Sequence, residues 1–243
     1  MDIISFRAQG IFNSYKIPVF KNYHKTYLTP PKTMIIGMLC NIMDKWERYF
    51  YETLQDKVDV CVVIESLGGT VKDLWWYKTL ENKNRGKSVI RRERNFCPIY
   101  RIYLQITDEL VRNKIFQVLQ SPQNTPSLGQ DDEIIHITEV TQQSLEIWTQ
   151  TVLHSSFATD DAISFRMKDI DIGKQVIAPT IHRVYTRFTN PFSSKTDNIQ
   201  KRDYREVIEE KDIVEFYNTS IQIIHWSLKT FMDSQYWYNV SFY

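Results

Sequence analysis

One stretch of this chain concentrates basic side chains. Seven lysines and arginines lie between positions 78 and 94, opposed only by Glu81 and Glu93: Lys78, Lys83, Arg85, Lys87, Arg91, Arg92 and Arg94. Trp75, Trp76 and Tyr77 precede them, and Phe96 follows. Cations bind phosphates, and aromatic rings stack on bases. Because the whole chain carries a net charge of only +1, this local excess favours nucleic-acid contact over a solvated loop with buried aromatics.

A second candidate for phosphate binding is the segment Thr29-Pro30-Pro31-Lys32-Thr33, which leads into an apolar run. Proline suits the first turn of a helix, where its missing N–H needs no partner. The free amides of that turn, beside Lys32 and Thr33, favour a phosphate. Gly37 interrupts the run at a cost of roughly 1 kcal/mol relative to alanine. It predicts close approach of another backbone, a sheet under the helix.

Other chemistries lack their motifs. Gly86-Lys87-Ser88 resembles the end of a phosphate-binding P-loop, but that motif needs glycine at the position of Glu81, so nucleotide hydrolysis is rejected. The histidines show no metal-ligand spacing, and Cys40, Cys61 and Cys97 form no C-x-x-C pair. We therefore expect no metal and no cofactor.

Metal-independent cleavage of RNA stays open as an alternative. It needs a base, an acid and a cation near one phosphate, and His24, Tyr27 and Lys32 lie close together in the sequence. The favoured interpretation is that these residues pack or stack in an aromatic loop, so we expect no catalytic residue.

The composition is that of a globular protein with an unusual aromatic content. The chain has 243 residues, 42% of them apolar and 14% aromatic, which indicates one large domain or two small ones. No apolar run reaches about 18 residues, and the N-terminus does not resemble a signal peptide. The expected compartment is the cytoplasm, without a membrane partner.

Hydrophobic periodicity predicts the elements that position these residues. The expected order is a strand over residues 2–9, a long aromatic loop over 10–30, and helices over 31–43 and 45–54. A strand over 58–66, a hairpin with arms 70–80 and 88–94, a strand over 98–106, a helix over 108–119 and a strand over 133–140 follow. This is the β-α-β-β-α-β order of the ferredoxin-like plan, which the RNA-recognition motif shares.

The last hundred residues are predicted to be β-rich, with strands near 147–153, 162–167, 176–188 and 220–226 and a polar loop over 190–203. A linker over 141–145 divides the chain. The predicted fold class is therefore α+β: a ferredoxin-like domain over 1–140 with an inserted β-hairpin thumb over about 68–95, and a smaller β-rich region over 141–243.

Three segments together resemble a known family. They are Tyr27-Leu28-Thr29-Pro30-Pro31-Lys32-Thr33-Met34-Ile35-Ile36-Gly37, Arg91-Arg92-Glu93-Arg94-Asn95-Phe96-Cys97-Pro98-Ile99-Tyr100-Arg101 and Pro126-Ser127-Leu128-Gly129-Gln130-Asp131-Asp132. The chain resembles the CRISPR-associated RAMP-superfamily subunits (the "Cas five" family, subtype I-B-like) that cap the 5′ handle of the guide RNA (crRNA) in type I Cascade complexes.

The resemblance implies a non-catalytic RNA-binding subunit of an interference complex in antiviral defence. Its implied partners are the crRNA 5′ handle, the repeated backbone subunit and the large subunit, with target DNA contacted only indirectly. The RNA-binding residues expected on this basis are Tyr27, Lys32, Thr33, Lys83, Arg85, Lys87, Arg91, Arg92 and Arg94.

Two other functions compete with this one. One subtype of the family cleaves the precursor RNA with a tyrosine and an adjacent Lys-His pair, and this central domain has no Lys-His dipeptide, so processing is assigned to a separate nuclease. The other competitor is a protein scaffold unrelated to RNA, whose aromatic residues serve subunit interfaces alone.

Overall fold

β-Strands dominate the computed structural model, which describes residues 1–20, 22–78, 86–148, 151–159, 164–173, 175–192, 206–224 and 229–243. The elements of the first half are β1 (Asp2–Gly10), β2 (Phe12–Asn13), β3 (Tyr23–His24), α1 (Lys32–Ile42), α2 (Glu47–Tyr49), β4 (Val58–Ser66), β5 (Gly69–Lys78), β6 (Lys87–Phe96), β7 (Ile99–Ile106), α3 (Glu109–Gln120) and β8 (Ile135–Ser144). The second half contains β9 (Glu146–Trp148), β10 (Val152–Leu153), β11 (Phe157–Thr159), β12 (Phe165–Lys168), β13 (Ile177–Phe188), β14 (Val207–Tyr217), β15 (Ser220–Ile223), β16 (Thr230–Asp233) and β17 (Tyr238–Val240).

The central sheet is antiparallel, with the strand order β4-β7-β1-β8. Phe6 of β1 and Ile102 of β7 share a buried cluster with Leu39 of α1 and Ile115 of α3, so the helices cover one face. Asp108 begins α3 as predicted, because its carboxylate accepts from the amides of Leu110 and Val111. The strands and helices predicted up to residue 120 are present, although α2 is short and continues as a π-helical turn over Phe50–Leu54.

The C-terminal segment covers the other face of this sheet. Tyr103 and Val63 pack against Phe231 and Val240, and the hydroxyl of Tyr103 donates to the carboxylate of Asp233 at 2.8 Å. Tyr243 exchanges two backbone hydrogen bonds with Val60, which closes the β4 edge. The sheet is therefore a middle layer, and neither of its faces is open to a ligand in the manner of the RNA-recognition motif.

The predicted linker over 141–145 is wrong at the level of secondary structure. β8 continues to Ser144, which pairs with Asp2 of β1, so four of the five residues belong to a strand of the central sheet. Val184 and Ile213 of the second half belong to the same buried cluster as the helices. The division into 1–140 and 141–243 stays a prediction, and the two stretches share a core.

No strand was predicted where β14 lies, and β14 forms the centre of a three-stranded sheet with β11 and β13. Its first half reads Val207-Ile208-Glu209-Glu210-Lys211-Asp212, and charged residues have low strand propensity. Pairing with β13 compensates, since Arg183 forms ion pairs with Glu210 and Asp212 across the ladder. The polar loop predicted over 190–203 lies mostly outside the described residues.

The interpretation of Gly37 is also wrong. The residue is exposed on α1, and a β-carbon built there meets no atom within 4 Å. No sheet or other backbone of the described chain approaches it. None of the described helices has the length and apolar character to cross a membrane.

Candidate nucleic-acid interface

The two arms of the predicted hairpin are present in the described residues. β5 and β6 pair antiparallel, with Asp73 opposite Arg92 and Trp76 opposite Val89. Directly opposed residues share a face of a two-stranded ribbon. The outer face of the hairpin carries Lys72, Leu74, Trp76, Lys78, Lys87, Val89, Arg91 and one carboxylate, that of Glu93. The inner face carries Val71, Asp73, Trp75, Tyr77, Ser88, Ile90, Arg92 and Arg94.

The outer face combines free cations with an exposed ring. Trp76 is 67% exposed. Lys87 and Arg91 are exposed, and within the described chain neither side chain forms an ion pair. Cations beside an open aromatic face are the combination that binds single-stranded nucleic acid, because the cations contact phosphates and the ring accepts a base. Lys78 extends this face, whereas Lys83 and Arg85 lie outside the described residues.

Arg92 is directed to the inner face, and this corrects the expectation of an exposed guanidinium. The residue is only 6% exposed. Its Nε and Nη2 donate to the Asp73 carboxylate at 3.1 and 2.8 Å, and its guanidinium lies over the ring of Trp75 at 5.3 Å. The hydrogen bonds from Arg92 hold the pKa of Asp73 below its usual value. Arg92 therefore stabilises the hairpin through a bidentate ion pair.

Arg94 also forms an ion pair. It lies near the end of the hairpin that is away from the tip, which we call the root. Its Nε lies 3.2 Å from the carboxylate of Glu133, which is buried. Glu133 also accepts from the amide and the hydroxyl of Ser14, at 2.6 and 2.7 Å, and from the amide of Gln130 at 3.0 Å. Burial raises the pKa of Glu133 despite these donors. One carboxylate thus joins the hairpin to the first loop and to the turn before β8.

The first loop also packs along the hairpin. β2 and β3 pair with β6, so the residues predicted as a loop contribute two short strands. His24 of β3 is 1% exposed and lies beside Trp75. Burial, with help from the nearby charges of Lys16 and Arg92, lowers the pKa of His24 to about 4. His24 is therefore neutral at pH 7 and supports the root of the hairpin.

At the predicted phosphate site, the start of α1, the cation is paired within the chain. Lys32 is buried, and its Nζ donates to the Asp59 carboxylate at 3.0 Å. Just before the helix, the amides of Leu28 and Thr29 donate to the buried carboxylate of Glu215 at 3.1 and 2.9 Å. Thr33 is half-buried. These contacts attach the helix start to β14 and leave Lys32 without a free charge.

Tyr27 is buried as well, and the three candidate catalytic residues do not form one site. The Tyr27 hydroxyl donates to the carbonyl of Arg183 at 2.7 Å, and burial raises its pKa well above the usual value. His24 lies with Trp75, and Lys32 with Asp59. Each residue of the set therefore has its own structural environment.

Three residues that contribute a charge or a ring to the outer face were absent from the residues expected to bind RNA: Lys72, Trp76 and Lys78. The signal that could have found them is the strand register. Once Asp73 is paired with Arg92, alternation along β5 assigns Lys72, Leu74 and Trp76 to the face of Arg91. Among the described residues, no group of three or more histidine, cysteine, aspartate or glutamate side chains is arranged to hold a metal ion.

Comparison with known proteins identifies the family. The family model described as "CRISPR-associated protein (Cas_Cas5)" matches residues 3–210. The chain belongs to this family. The resemblance to the family noted from the three sequence segments is thereby confirmed, and the chain is a CRISPR-associated subunit of the RAMP type. No curated protein sequence matches the chain.

Two solved structures share the fold of this family member over most of its length. A chain from a "CRISPR RNA-guided surveillance complex" aligns with a TM-score of 0.52 and 14% identity, covering 88% of this chain and 90% of that one. A CRISPR protein from Archaeoglobus fulgidus aligns with a TM-score of 0.55 and 12% identity, covering 99% and 98%. At these identities the comparison concerns the fold alone.

Proposed function

We propose that this chain is a non-catalytic RNA-binding subunit of a type I CRISPR interference (Cascade) complex and holds the 5′ handle of the guide RNA. The observation that carries the proposal is the outer face of the hairpin, where Lys87 and Arg91 stand free beside the exposed ring of Trp76. Family membership supports guide RNA as the nucleic acid, and one similar chain comes from an RNA-guided complex.

The described core supports a ferredoxin-like assignment. Two strand–helix–strand units contribute β1 and β4, then β7 and β8, to one antiparallel sheet with the order β4-β7-β1-β8. In this assignment the hairpin is an insertion between the two units. Since helices cover one sheet face and the C-terminal segment the other, the hairpin is the favoured location for RNA contact.

The proposal extends to the remaining partners. We assign contacts with the repeated backbone subunit and the large subunit of the complex, in a subtype I-B-like assembly in the cytoplasm that meets target DNA only indirectly. Membership of the family supports this assignment. The scaffold alternative predicts that reversing the charges of the outer face leaves RNA affinity unchanged.

The absence of catalysis is part of the proposal. Its support is that His24, Tyr27 and Lys32 lie in separate environments and that the Tyr27 hydroxyl is bonded to a backbone carbonyl. Metal-independent cleavage of precursor RNA is the alternative, and it requires these groups to rearrange around one phosphate.

Incubation of the purified chain with 5′-labelled repeat–spacer RNA in EDTA tests both functions, read on native and denaturing gels. We expect shifted, intact RNA, and weaker binding for the double variant Lys87→Glu, Arg91→Glu. The matched control reverses Lys45 and Lys114, two exposed lysines away from the hairpin, and so changes the net charge equally. A discrete cleaved product would establish the nuclease. Equal weakening by both double variants would contradict a site on the hairpin.

A further inference from the structure

A polar cavity of about 300 Å³ lies beside the root of the hairpin, between the end of β4, the turn that joins β14 to β15, and β17. The hydroxyl of Tyr217 in its wall accepts from the amide of Leu67 at 3.2 Å, in the connection between β4 and β5. Ligand pockets begin at about this volume. This space, which we call the root cavity, is therefore large enough for a small ligand and adjoins the element assigned to RNA.

The charges of the root cavity do not suit a phosphate. Its described lining contains no lysine or arginine but two carboxylates, those of Glu65 and Asp169. Arg7 and Arg101 neutralise Glu65, because each donates to it through Nε, at 2.9 and 2.8 Å. Asp169 is exposed at the rim and accepts from the hydroxyl of Ser220 at 2.8 Å. Since phosphates need cations, the cavity fits an uncharged group with N–H donors for Asp169.

The root cavity also supplies a donor, from His154 in its wall. Nδ1 of His154 accepts from the amide of Asn239 at 3.1 Å. Burial lowers the pKa of this histidine, so at pH 7 the ring is neutral and carries its proton on Nε2. Lysine and arginine side chains have donors only and cannot satisfy this N–H. A nucleobase carries donors and acceptors on the same edge and satisfies both His154 and Asp169.

An aromatic ring forms a further part of the wall. Tyr238 lines the cavity, and its ring stacks on that of Tyr236 with an interplanar angle of 17°. The hydroxyl of Tyr236 donates to the carboxylate of Glu139 at 3.0 Å, which fixes the lower ring of the stack. Bases of single strands stack on such rings, and RNA bases are read where they are unpaired and turned out.

We propose that the root cavity binds one unstacked, amino-bearing nucleobase of the guide RNA, with Asp169 accepting from the amino group, His154 donating to a base acceptor and Tyr238 against the ring. The inference rests on the proposed binding of guide RNA by the hairpin and adds a site that reads a base to a face that binds phosphates. Adenine, cytosine and guanine have an exocyclic amino group and uracil has none, so the cavity discriminates against uracil at one position.

The test measures the affinity of the purified chain for handle RNAs that carry uracil or an abasic site at one position at a time. We expect one position at which either change weakens binding about tenfold relative to an amino-bearing base. Asp169→Asn keeps the size of the side chain, and asparagine tolerates the left-handed backbone of this residue, at φ 54°. Its amide can donate to a uracil carbonyl, so the preference against uracil should disappear in this variant.

Asp171→Asn is the matched control. It removes the same charge two positions away, from an exposed residue outside the lining, and should keep the preference against uracil. Loss of a negative charge alone would tighten the binding of every RNA equally in both variants. The base preference therefore separates a contact with the base from a general effect of charge.

A wild-type chain without a preference at any position would overturn the inference, as would an Asp169→Asn chain that keeps the preference. If Asp169→Asn keeps the preference and loses a protein subunit from the reconstituted complex, the cavity binds a protein side chain instead. If Lys87→Glu, Arg91→Glu weakens RNA binding while Asp169→Asn changes no base preference, only this inference fails. A wild-type chain that binds no handle RNA overturns both the inference and the proposed function.

Discussion

Trp76 is the residue whose exposure the fold does not explain. Its indole stands on the outer face of the hairpin between Leu74 and Lys78, opposite Val89. Trp75, one position earlier, is directed inwards and lies under the guanidinium of Arg92. The two neighbouring tryptophans therefore differ in role, one packing the hairpin and one offering a free aromatic face.

Replacing Trp76 by alanine should weaken RNA binding without weakening the fold. Loss of one base–aromatic stack costs about 1–3 kcal/mol, or roughly a factor of 5 to 150 in affinity. Fluorescence anisotropy with labelled handle RNA measures this change. Trp46→Ala removes a comparably exposed indole from the helical side and should keep wild-type affinity. Equal effects from the two variants would argue against stacking on the hairpin.

The stability of the fold depends on the protonation state of the Glu215 carboxyl. The residue is 2% exposed, and burial raises its pKa more than the hydrogen bonds from Thr29 and Leu28 lower it. The folded chain therefore binds this proton more tightly than the unfolded chain, whose carboxyl titrates near 4.5. The protonated carboxyl therefore contributes to the free energy of unfolding. This contribution is fully present below pH 4.5 and is lost as pH rises through the raised pKa of Glu215.

We expect the free energy of unfolding of Glu215→Gln to fall less than that of the wild type as pH rises from 4.5 to 7. Urea unfolding at a series of pH values measures both curves. Glu146→Gln, which neutralises an exposed carboxylate, should follow the wild-type curve. Parallel curves for wild type and Glu215→Gln would contradict this role for the buried carboxyl.

At the scale of elements, the hairpin depends on its root. Glu133 connects Arg94 of β6 with Ser14 of the first loop, and Arg92 connects the two arms through Asp73. Partly buried ion pairs of this kind are costly to break, because the remaining charge is left without its partner. The root therefore sets the direction in which the outer face points.

The variant Glu133→Gln distinguishes two roles of this carboxylate, as an anchor of the hairpin and as a negative charge near the RNA, because the two roles predict opposite changes in RNA affinity. Removing a negative charge should strengthen RNA binding if charge alone decides, whereas loss of the anchor should weaken it. We expect weakening of several-fold, measured at a temperature where circular dichroism shows the variant folded. Asp132→Asn neutralises the exposed neighbour and should leave binding equal or slightly tighter. Tighter binding by Glu133→Gln would show that the root does not position the hairpin.

The same element shows what sequence could predict and what it could not. Two β-rich runs around a basic tip were sufficient to predict the hairpin. The faces were not predicted, because Trp75-Trp76-Tyr77 and Arg91-Arg92 show no alternation until the register pairs Asp73 with Arg92. Lys32 was taken as a free cation because its partner Asp59 lies 27 positions away and meets it only in the fold.

At the scale of the molecule, long-range pairing decides what remains accessible. Local strand propensity did not predict β14, yet its Glu215 accepts a hydrogen bond from the amide of Thr29, in the segment before α1. The C-terminal segment covers the sheet face that carries Tyr103. Neither contact has a local sequence signal, because each joins residues more than a hundred positions apart. Together they leave the outer face of the hairpin as a described surface suited to a nucleic acid.

The dependence of RNA affinity on salt tests the central claim most directly. Each phosphate neutralised on a single strand contributes about −0.7 to the slope of log affinity against log salt concentration. We expect a steep slope for the wild type and a slope shallower by about 1.4, with weaker binding, for Lys87→Glu, Arg91→Glu. An unchanged slope and affinity in that variant would show that the outer face of the hairpin does not bind the guide RNA.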